Sequence, residues 1–142
     1  PEDYREKIDM HALARFFSSE LWEQMRVSKS IHRETRFNIE LPAEMFTQDG
    51  ENKAAIKGES VLVQGVIDCF FERDDGETVL VDYKTDGFSR EQLSKPEECE
   101  RILRERHSSQ LHYYAEAIKR LTGREPIQTL IYSFALGKSV EI

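Results

Sequence analysis

Apolar residues recur at helical spacing near the start of the chain and at strand spacing soon afterwards. From about Ile8 to Val27 one apolar stripe predicts a packing helix, and Ser18-Ser19 could split it into two helices with a serine capping the second. From Ile31 to Leu41 apolar and polar residues alternate, which predicts a strand with one polar face. The polar stretch at residues 42–58 predicts an irregular connection or a short helix.

Two further strands are predicted at residues 60–72 and 77–85, joined by the turn sequence Asp74-Asp75-Gly76. A three-residue loop with Gly76 in the left-handed region would place Asp68 opposite Asp82. A two-residue loop would instead place Asp68 opposite Tyr83, with its carboxylate turned away unless a bulge restored the register. The sequence leaves both registers open.

The second half of the chain predicts one long helix and one strand. Ser94 to Glu97 offers a serine cap, an early proline and a glutamate at capping-box spacing. The helix should run to Leu121, with a possible break at Ser108-Ser109, and end at Gly123. Residues 127–136 then form a last central strand, followed by Gly137 and a short tail.

The element order α-β-β-β-α-β predicts an α/β (α+β) fold with a mixed central sheet. The long helix would serve as the crossover to the last strand, and helices would cover both faces of the sheet. A chain of 142 residues that is 39% hydrophobic fits one domain with one core.

The charge balance limits how the domain can meet a nucleic acid. Charged residues make up 33% of the chain and leave a formal net charge of -7, so there is no overall attraction for a polyanion. Any contact with DNA must therefore come from local basic residues or from bound cations.

Cys69 and Cys99 are too far apart for a C-x-x-C motif and too few for a disulfide framework or an iron-sulfur cluster, so we expect small core residues in a reducing cytoplasm. No apolar run approaches the length of a membrane helix, and the sequence at Pro1 lacks the layout of a signal peptide. The chain also lacks an initiator Met. We interpret it as a segment of a larger protein, in which part of an active site could lie upstream.

The candidate chemistry lies on the third strand, where Asp82 and Lys84 share a face and Tyr83 points the other way. If Asp68 joins Asp82 about 4 Å away, the two carboxylates repel by roughly 4 kcal/mol at an effective dielectric of 20 unless a cation is bound. Oxygen ligands suit Mg²⁺ or Mn²⁺, and Lys84 could orient a water or stabilise charge on phosphorus. The spacing is equally compatible with an ordinary ion pair between Asp68 and Lys84 beside a solvated Asp82.

A longer set of motifs is more specific. It comprises Gly65-Val66-Ile67-Asp68, the string Val79 to Asp86 that contains D-Y-K-T-D, and Gln110 with Tyr114 four residues later. In this order and spacing the motifs resemble the RecB-like branch of the PD-(D/E)XK nuclease superfamily, which implies a restriction-endonuclease-like core. With Arg33-Glu34 and the segment 131–136, nearly the whole chain resembles the C-terminal nuclease domain of AddA/RexA-type helicase/nuclease subunits.

The resemblance implies roles for individual residues. Asp68 and Asp82 would be metal ligands together with the backbone carbonyl of Tyr83, and Lys84 would be the catalytic lysine. On the following helix, a Gln110 and Tyr114 pair would support the site and the DNA, and the spacing of four places both on one helical face. Their spacing fits equally well a core tyrosine and a polar residue at a helix surface. Glu34 is a weaker candidate for the edge of the site.

The resemblance also implies an activity and partners. We expect a Mg²⁺-dependent exodeoxyribonuclease domain, with Mn²⁺ as a possible substitute, in a bacterial cytoplasmic complex for double-strand-break repair by recombination. Helicase domains of the same polypeptide would deliver single-stranded DNA, the other partner would be of the AddB/RexB type, and no membrane would be involved. The alternatives are a catalytically silent structural or DNA-binding module in such a complex, and a stand-alone endonuclease.

One departure from the family pattern concerns the metal. The family's metal-binding histidine lies in an upstream G-T-x-x-H motif, which does not occur in this chain, and His11 lacks the preceding Gly-Thr. We therefore expect this segment to bind metal weakly and to cut poorly, whereas the full-length protein is active.

Overall fold

The computed structural model describes residues 9–47 and 54–142, so the predicted helix start at Ile8 and part of the predicted connection lie outside it. The elements, in chain order, are α1 (Met10–Phe17), α2 (Glu20–Arg26), β1 (Ser30–Pro42), a 3₁₀ turn (Ala43–Phe46), β2 (Ser60–Glu72), β3 (Thr78–Lys84), α3 (Arg90–Leu93), α4 (Pro96–Thr122), β4 (Gln128–Ser133) and β5 (Lys138–Glu141). In the described part of the chain, no helix is long and apolar enough to cross a membrane.

The helix boundaries follow local capping chemistry. The predicted split of the first helix is confirmed, because the Ser19 hydroxyl accepts a hydrogen bond from the backbone N–H of Trp22 and caps α2. The predicted cap of the long helix is wrong: the Ser94 hydroxyl donates to the carbonyl of Glu91, and the capping box belongs to α3 instead. As predicted, Pro96 opens α4.

The long helix α4 continues without a break through Ser108-Ser109. The Ser108 hydroxyl donates to the backbone carbonyl of Arg104, so the serine is satisfied inside the helix and does not interrupt it. The helix ends where Gly123 takes a φ of 76°, a left-handed conformation that favours glycine. This end of the helix is as predicted.

The described strands form one mixed sheet in the order β1-β2-β3-β4-β5. The strands β3 and β4 are parallel, and α4 is the crossover between them, as predicted. The other neighbours are antiparallel. The predicted strand at residues 127–136 is too long, because Gly137 (φ 66°) reverses the chain and the supposed tail pairs with β4 as β5.

Helices cover both faces of the sheet, as the element order predicts. The helix α4 packs on one face around a cluster that includes Phe70, Leu80, Leu103, Leu111, Ile118 and Ile131. Helices α1 and α2 pack on the other face around Phe16, Leu21, Met25, Val79, Val81 and Tyr132. Cys69 and Cys99 are both free and buried, which confirms the prediction that they are core residues.

The hairpin between β2 and β3 takes the three-residue register. The N–H of Arg73 donates to the carbonyl of Glu77 over 2.8 Å, and Gly76 has a φ of 85°. The paired residues then run from Glu72 opposite Thr78 to Cys69 opposite Val81. This register resolves the alternative that the sequence left open.

The long strands β1 and β2 both change face at one point. Residues separated by an even number of positions along a strand normally share a face. Ile31 and Phe37 are six positions apart, yet Ile31 packs towards α1 and α2 whereas Phe37 packs towards α4. The change occurs at Glu34, which has a φ of 49° and, like Asp68 across from it, is missing from an otherwise continuous ladder. A left-handed conformation costs a residue with a Cβ roughly 1–2 kcal/mol. Because Asp68 lies at the same irregularity, the distortion sits beside the candidate site.

A glycine on β2 makes room for the aromatic pair next to this site. A Cβ on Gly65 would lie 2.8 Å from the buried ring of Phe37 and 3.5 Å from Tyr114. The two rings meet edge to face with centroids 5.6 Å apart. The glycine in the G-x-I-D motif therefore has a packing role, since any side chain would push Phe37 against Tyr114.

Replacing Gly65 with Ala should lower the free energy of unfolding by about 1–3 kcal/mol, the usual effect of overpacking a core. Urea denaturation would measure the change. The matched control is Gly87→Ala, where a Cβ meets no heavy atom within 4 Å and the free energy of unfolding should stay within about 0.5 kcal/mol. Equal effects of the two substitutions would contradict the packing role.

Candidate active site

The strands β2 and β3 part at the position where the candidate residues lie. Their ladder ends at the pair Cys69 and Val81. Continued in register, Tyr83 would face Ile67, but the backbone N–H of Tyr83 instead donates to Oδ2 of Asp68 over 3.0 Å. The Asp68 carboxylate thus takes the place of a backbone acceptor and holds a gap open between the two strands.

Backbone direction also places the Tyr83 carbonyl at this gap. The Lys84 carbonyl accepts a hydrogen bond from the N–H of Phe134, over 3.0 Å, so the backbone groups of Lys84 point to β4. Successive residues of a strand alternate in this direction, and the N–H and C=O of one residue point the same way. The carbonyl of Tyr83 therefore points to β2, on the same side as its N–H and the Asp68 carboxylate.

Asp82 is the buried acid of the site, with only 2% of its surface exposed. Its Oδ2 lies 2.6 Å from Lys84 Nζ but accepts no hydrogen bond of suitable angle from the described residues. Burial raises the pKa of Asp82, contact with Lys84 opposes that change, and the charge of Asp68 adds to it. The interpretation in which Asp82 is solvated and Lys84 pairs with Asp68 is therefore wrong.

The lysine is held from the helix side as well. Lys84 Nζ donates to Oε1 of Gln110 over 2.9 Å, and Nε2 of the same amide donates to the Tyr114 hydroxyl over 2.8 Å. Burial raises the pKa of Tyr114, the hydrogen bond with Gln110 opposes that change, and the charges of Asp82 and Asp68 add to it. Gln110 thus contacts the candidate lysine directly, and Tyr114 contacts Gln110.

Three residues that sequence reasoning did not select complete this end of the site. Asp86, just after β3, accepts hydrogen bonds from Arg106 Nη1 (3.1 Å) and from His107 Nε2 (3.2 Å), both on α4. Partial burial alone would raise the pKa of Asp86, but these two partners lower it. His107 also lowers the pKa of Asp82. The signal for Asp86 was present in the D-Y-K-T-D string, whereas no local pattern identified the two partners.

The residues present fit a divalent cation held mainly by oxygen atoms. The donors are the carboxylates of Asp68 and Asp82 and the carbonyl of Tyr83, and the buried Oδ2 of Asp82 accepts no hydrogen bond of suitable angle among the described residues. Glu34 is exposed and lies across from Asp68 on β1. Among residues 9–47 and 54–142, no group of three or more acidic, histidine or cysteine side chains converges. Oxygen donors of this kind are those that hard divalent cations prefer.

The amide of Gln110 should matter for the position of the lysine. Replacing Gln110 with Ala removes the neutral partner of Lys84, so the ammonium should turn fully towards Asp82, and a reaction that needs a positioned Lys84 should slow by about tenfold. If the site cleaves DNA, single-turnover cleavage rates would measure this effect. Ser109→Ala, one residue away on the same helix, is the matched control and should leave the rate unchanged. If Gln110→Ala cleaved as fast as the unsubstituted chain, the amide would have no role in positioning Lys84.

Comparisons with known proteins give matches over nearly the whole chain. A family model of the PD-(D/E)XK nuclease superfamily matches residues 1–140. The chain is 44% identical over 133 residues to the A-type subunit of an ATP-dependent helicase/nuclease from Acetivibrio thermocellus, across 94% of the chain and 10% of the relative. Proteins with the same name from Thermoanaerobacter sp. and Clostridium novyi are 36% and 32% identical over 99% of the chain, covering 10% and 11% of their own lengths. The chain thus spans about a tenth of the length of these relatives.

Proposed function

The chain belongs to the PD-(D/E)XK nuclease superfamily, and from that premise we propose that it hydrolyses phosphodiester bonds of DNA at the gap between β2 and β3. The observation that carries this proposal is the buried Asp82 with Lys84 at 2.6 Å, beside a second acid at the same gap. A buried, partly unsatisfied carboxylate next to another acid costs folding free energy, and a bound cation would offset that cost.

Each residue has a part in the proposed reaction. Asp68, Asp82 and the Tyr83 carbonyl would hold Mg²⁺, with Mn²⁺ as a substitute. When bound, the ion would supply a polarised phosphoryl oxygen and a more acidic water. Lys84 would orient the attacking water or stabilise the charge that develops on the phosphoryl oxygens.

The helix side of the site would position the lysine and the substrate. Lys84 donates to Gln110 and also lies 2.6 Å from Asp82, so the amide and the acid together would fix the position of the ammonium. Tyr114 fixes the amide by accepting from Nε2, which leaves the oxygen of Gln110 directed at the lysine. Glu34, across from Asp68 on β1, would support the edge of the site.

The relatives' shared name supports a wider setting. We infer that this domain acts as an exodeoxyribonuclease within the helicase/nuclease polypeptide of a bacterial cytoplasmic complex for double-strand-break repair by recombination. Helicase domains of the same polypeptide would deliver the single strand, and the partner would be of the AddB/RexB type. Because the chain carries a net charge of -7, the basic channel for the DNA would come from those other parts.

The 142-residue chain by itself should bind the ion weakly and cut DNA poorly, because two acids and one carbonyl make a sparse ligand set. The family's histidine motif does not occur among these 142 residues. Fast Mg²⁺-dependent degradation of DNA by the 142-residue chain would contradict this part of the proposal.

The direct test is a crystal of the chain soaked in Mn²⁺ at millimolar concentration and read for anomalous density. We expect one peak between Asp68 and Asp82, within about 2.0–2.3 Å of carboxylate oxygens. A crystal of the Asp82→Asn variant, soaked in the same way, should lose that peak. Density that persists in the variant, or that appears only elsewhere, would overturn the assignment of the ligands.

A further inference from the structure

An aromatic cleft opens on the face of the sheet opposite α4. It has a volume of about 450 Å³ and is lined by the rings of Phe16, Phe17, Trp22, Tyr83 and Phe134 together with Arg33. Phe17 and Trp22 meet edge to face with centroids 4.9 Å apart. Phe17 is 51% exposed, which is high for a large apolar ring. The cleft therefore presents flat apolar surface to the outside.

Two arginine side chains accompany these rings. Arg33 lines the cleft, and Arg15 donates from Nη2 to the carbonyl of Phe134 over 3.0 Å. Neither guanidinium forms an ion pair within residues 9–47 and 54–142, although the charge of Arg15 lowers the pKa of Asp9. Arg26 and Arg104, by contrast, are paired with glutamates on their own helices. The residues that line the cleft include no acid. In an acidic domain, this combination favours an anionic ligand with a flat apolar group.

The cleft and the candidate active site share one end of β3. Tyr83 contributes its ring to the cleft, and its two neighbours in sequence are Asp82 and Lys84 on the opposite face. Arg33 precedes Glu34, which lies across from Asp68. One strand thus separates the two sites, at the position where β2 and β3 part. A nucleic-acid strand that passes this end of β3 can reach both.

We propose that the aromatic cleft binds an unpaired base of single-stranded nucleic acid, one or two nucleotides from the phosphodiester that lies at Asp82 and Lys84. The inference rests on the proposed function and adds a basis for single-strand selectivity. Every base has a flat face that stacks on aromatic rings, and Arg33 can contact an adjacent phosphate. A base inside a duplex is stacked and paired, so it cannot enter.

Trp22 is the only tryptophan of the chain and lies in the cleft, so its fluorescence reports on the proposed contact. The measurement uses the 142-residue chain without divalent ions, titrated with a single-stranded oligonucleotide, its duplex, and an abasic oligonucleotide of equal length. We expect the single strand to quench the fluorescence of Trp22. The duplex and the abasic strand should either bind about tenfold more weakly than the single strand or bind without quenching that fluorescence.

Two variants separate stacking from charge. Phe17→Leu keeps an apolar side chain but removes a flat ring, so single-strand affinity should fall by about tenfold with an unchanged salt dependence. Arg33→Gln should instead reduce the slope of the logarithm of affinity against the logarithm of salt concentration by about one. The matched control is Arg124→Gln, since Arg124 contacts Gly76 at the other end of β3 and should leave both quantities unchanged.

The proposal is overturned if the abasic strand or the duplex quenches Trp22 as strongly as the single strand, or if no oligonucleotide quenches it. Equal losses in Arg33→Gln and Arg124→Gln would also overturn it, because binding would then reflect overall charge only. These outcomes are separate from failure of the nuclease proposal, which the Asp82→Asn variant tests through cleavage and metal binding.

Discussion

Replacing Asp82 with Asn should lower DNA cleavage by about a thousandfold or more, since metal catalysis contributes several kcal/mol and each tenfold in rate is about 1.4 kcal/mol. The substitution keeps the volume of a side chain that is almost fully buried. The raised pKa of Asp82 shows that its surroundings disfavour the charged form, mainly through burial, so a neutral amide should be tolerated. The expected variant is folded and inactive.

The cleavage measurement belongs in the proposed helicase/nuclease complex, with an end-labelled single strand and saturating Mg²⁺. Unwinding of a duplex by the same preparation is the internal control and should be unaffected. Asp74→Asn is the matched substitution, because Asp74 is an exposed acid in the hairpin turn at the other end of β3. Cleavage that survives in Asp82→Asn would favour the alternative of a catalytically silent nuclease-fold module.

The same variant should also lose stabilisation by metal. A ligand that binds only the folded state at a hundred times its Kd stabilises it by about 2.7 kcal/mol. Thermal unfolding of the 142-residue chain with and without Mn²⁺ measures this quantity directly. We expect a rise in Tm for the unsubstituted chain and none for Asp82→Asn, whatever the effect of the substitution on the metal-free protein.

The second large effect is expected for Lys84→Met, which should reduce cleavage by about a hundredfold to a thousandfold, as loss of one positioned electrostatic group usually does. The stem of methionine can fill the space of the lysine chain, but the charge that would stabilise the developing anion is gone. Metal-dependent stabilisation should be kept, because no competing ammonium then lies 2.6 Å from the Asp82 carboxylate.

This difference between the two variants separates the lysine from the ligands. Lys95→Met is the matched control, since Lys95 is an exposed lysine paired at 3.7 Å with a glutamate one turn away, and it should cleave normally. If Lys84→Met lost metal stabilisation together with cleavage, the lysine would be serving the ligand set and not the reaction. If Lys84→Met cleaved DNA at the full rate, Lys84 would have no role in the reaction.

Patterns within short windows were sufficient for most of the secondary structure. The bounds predicted for β2 coincide with those observed, and the split at Ser18-Ser19 and the end of α4 at Gly123 also agree. These features depend on side-chain periodicity and on capping groups a few residues away, so they can be predicted from a short stretch of sequence. The cap at Ser94 was mispredicted because Ser89 and Gln92, a few residues earlier, satisfy the same chemistry.

Pairing between distant segments was harder to predict. The strand β5 was taken for a tail because four residues with one buried side chain, Val140, give a weak alternation signal. It is a strand because β4 offers an open edge after Gly137 turns the chain back. Likewise, the break predicted at Ser108-Ser109 is absent because the hydroxyl of Ser108 is satisfied within the helix and packing on the sheet holds α4 together.

By itself the sequence determined the order of the long elements up to β4, the shared face of Asp82 and Lys84, and the motifs that carry the family resemblance. Each of these depends on spacing along one segment. The tertiary structure alone decided the change of face at Glu34 and Asp68, the parting of β2 from β3, and the attachment of Asp86 to Arg106 and His107. Those features arise where separate strands and a helix compete for the same backbone donors and the same space, and a single segment does not contain that information.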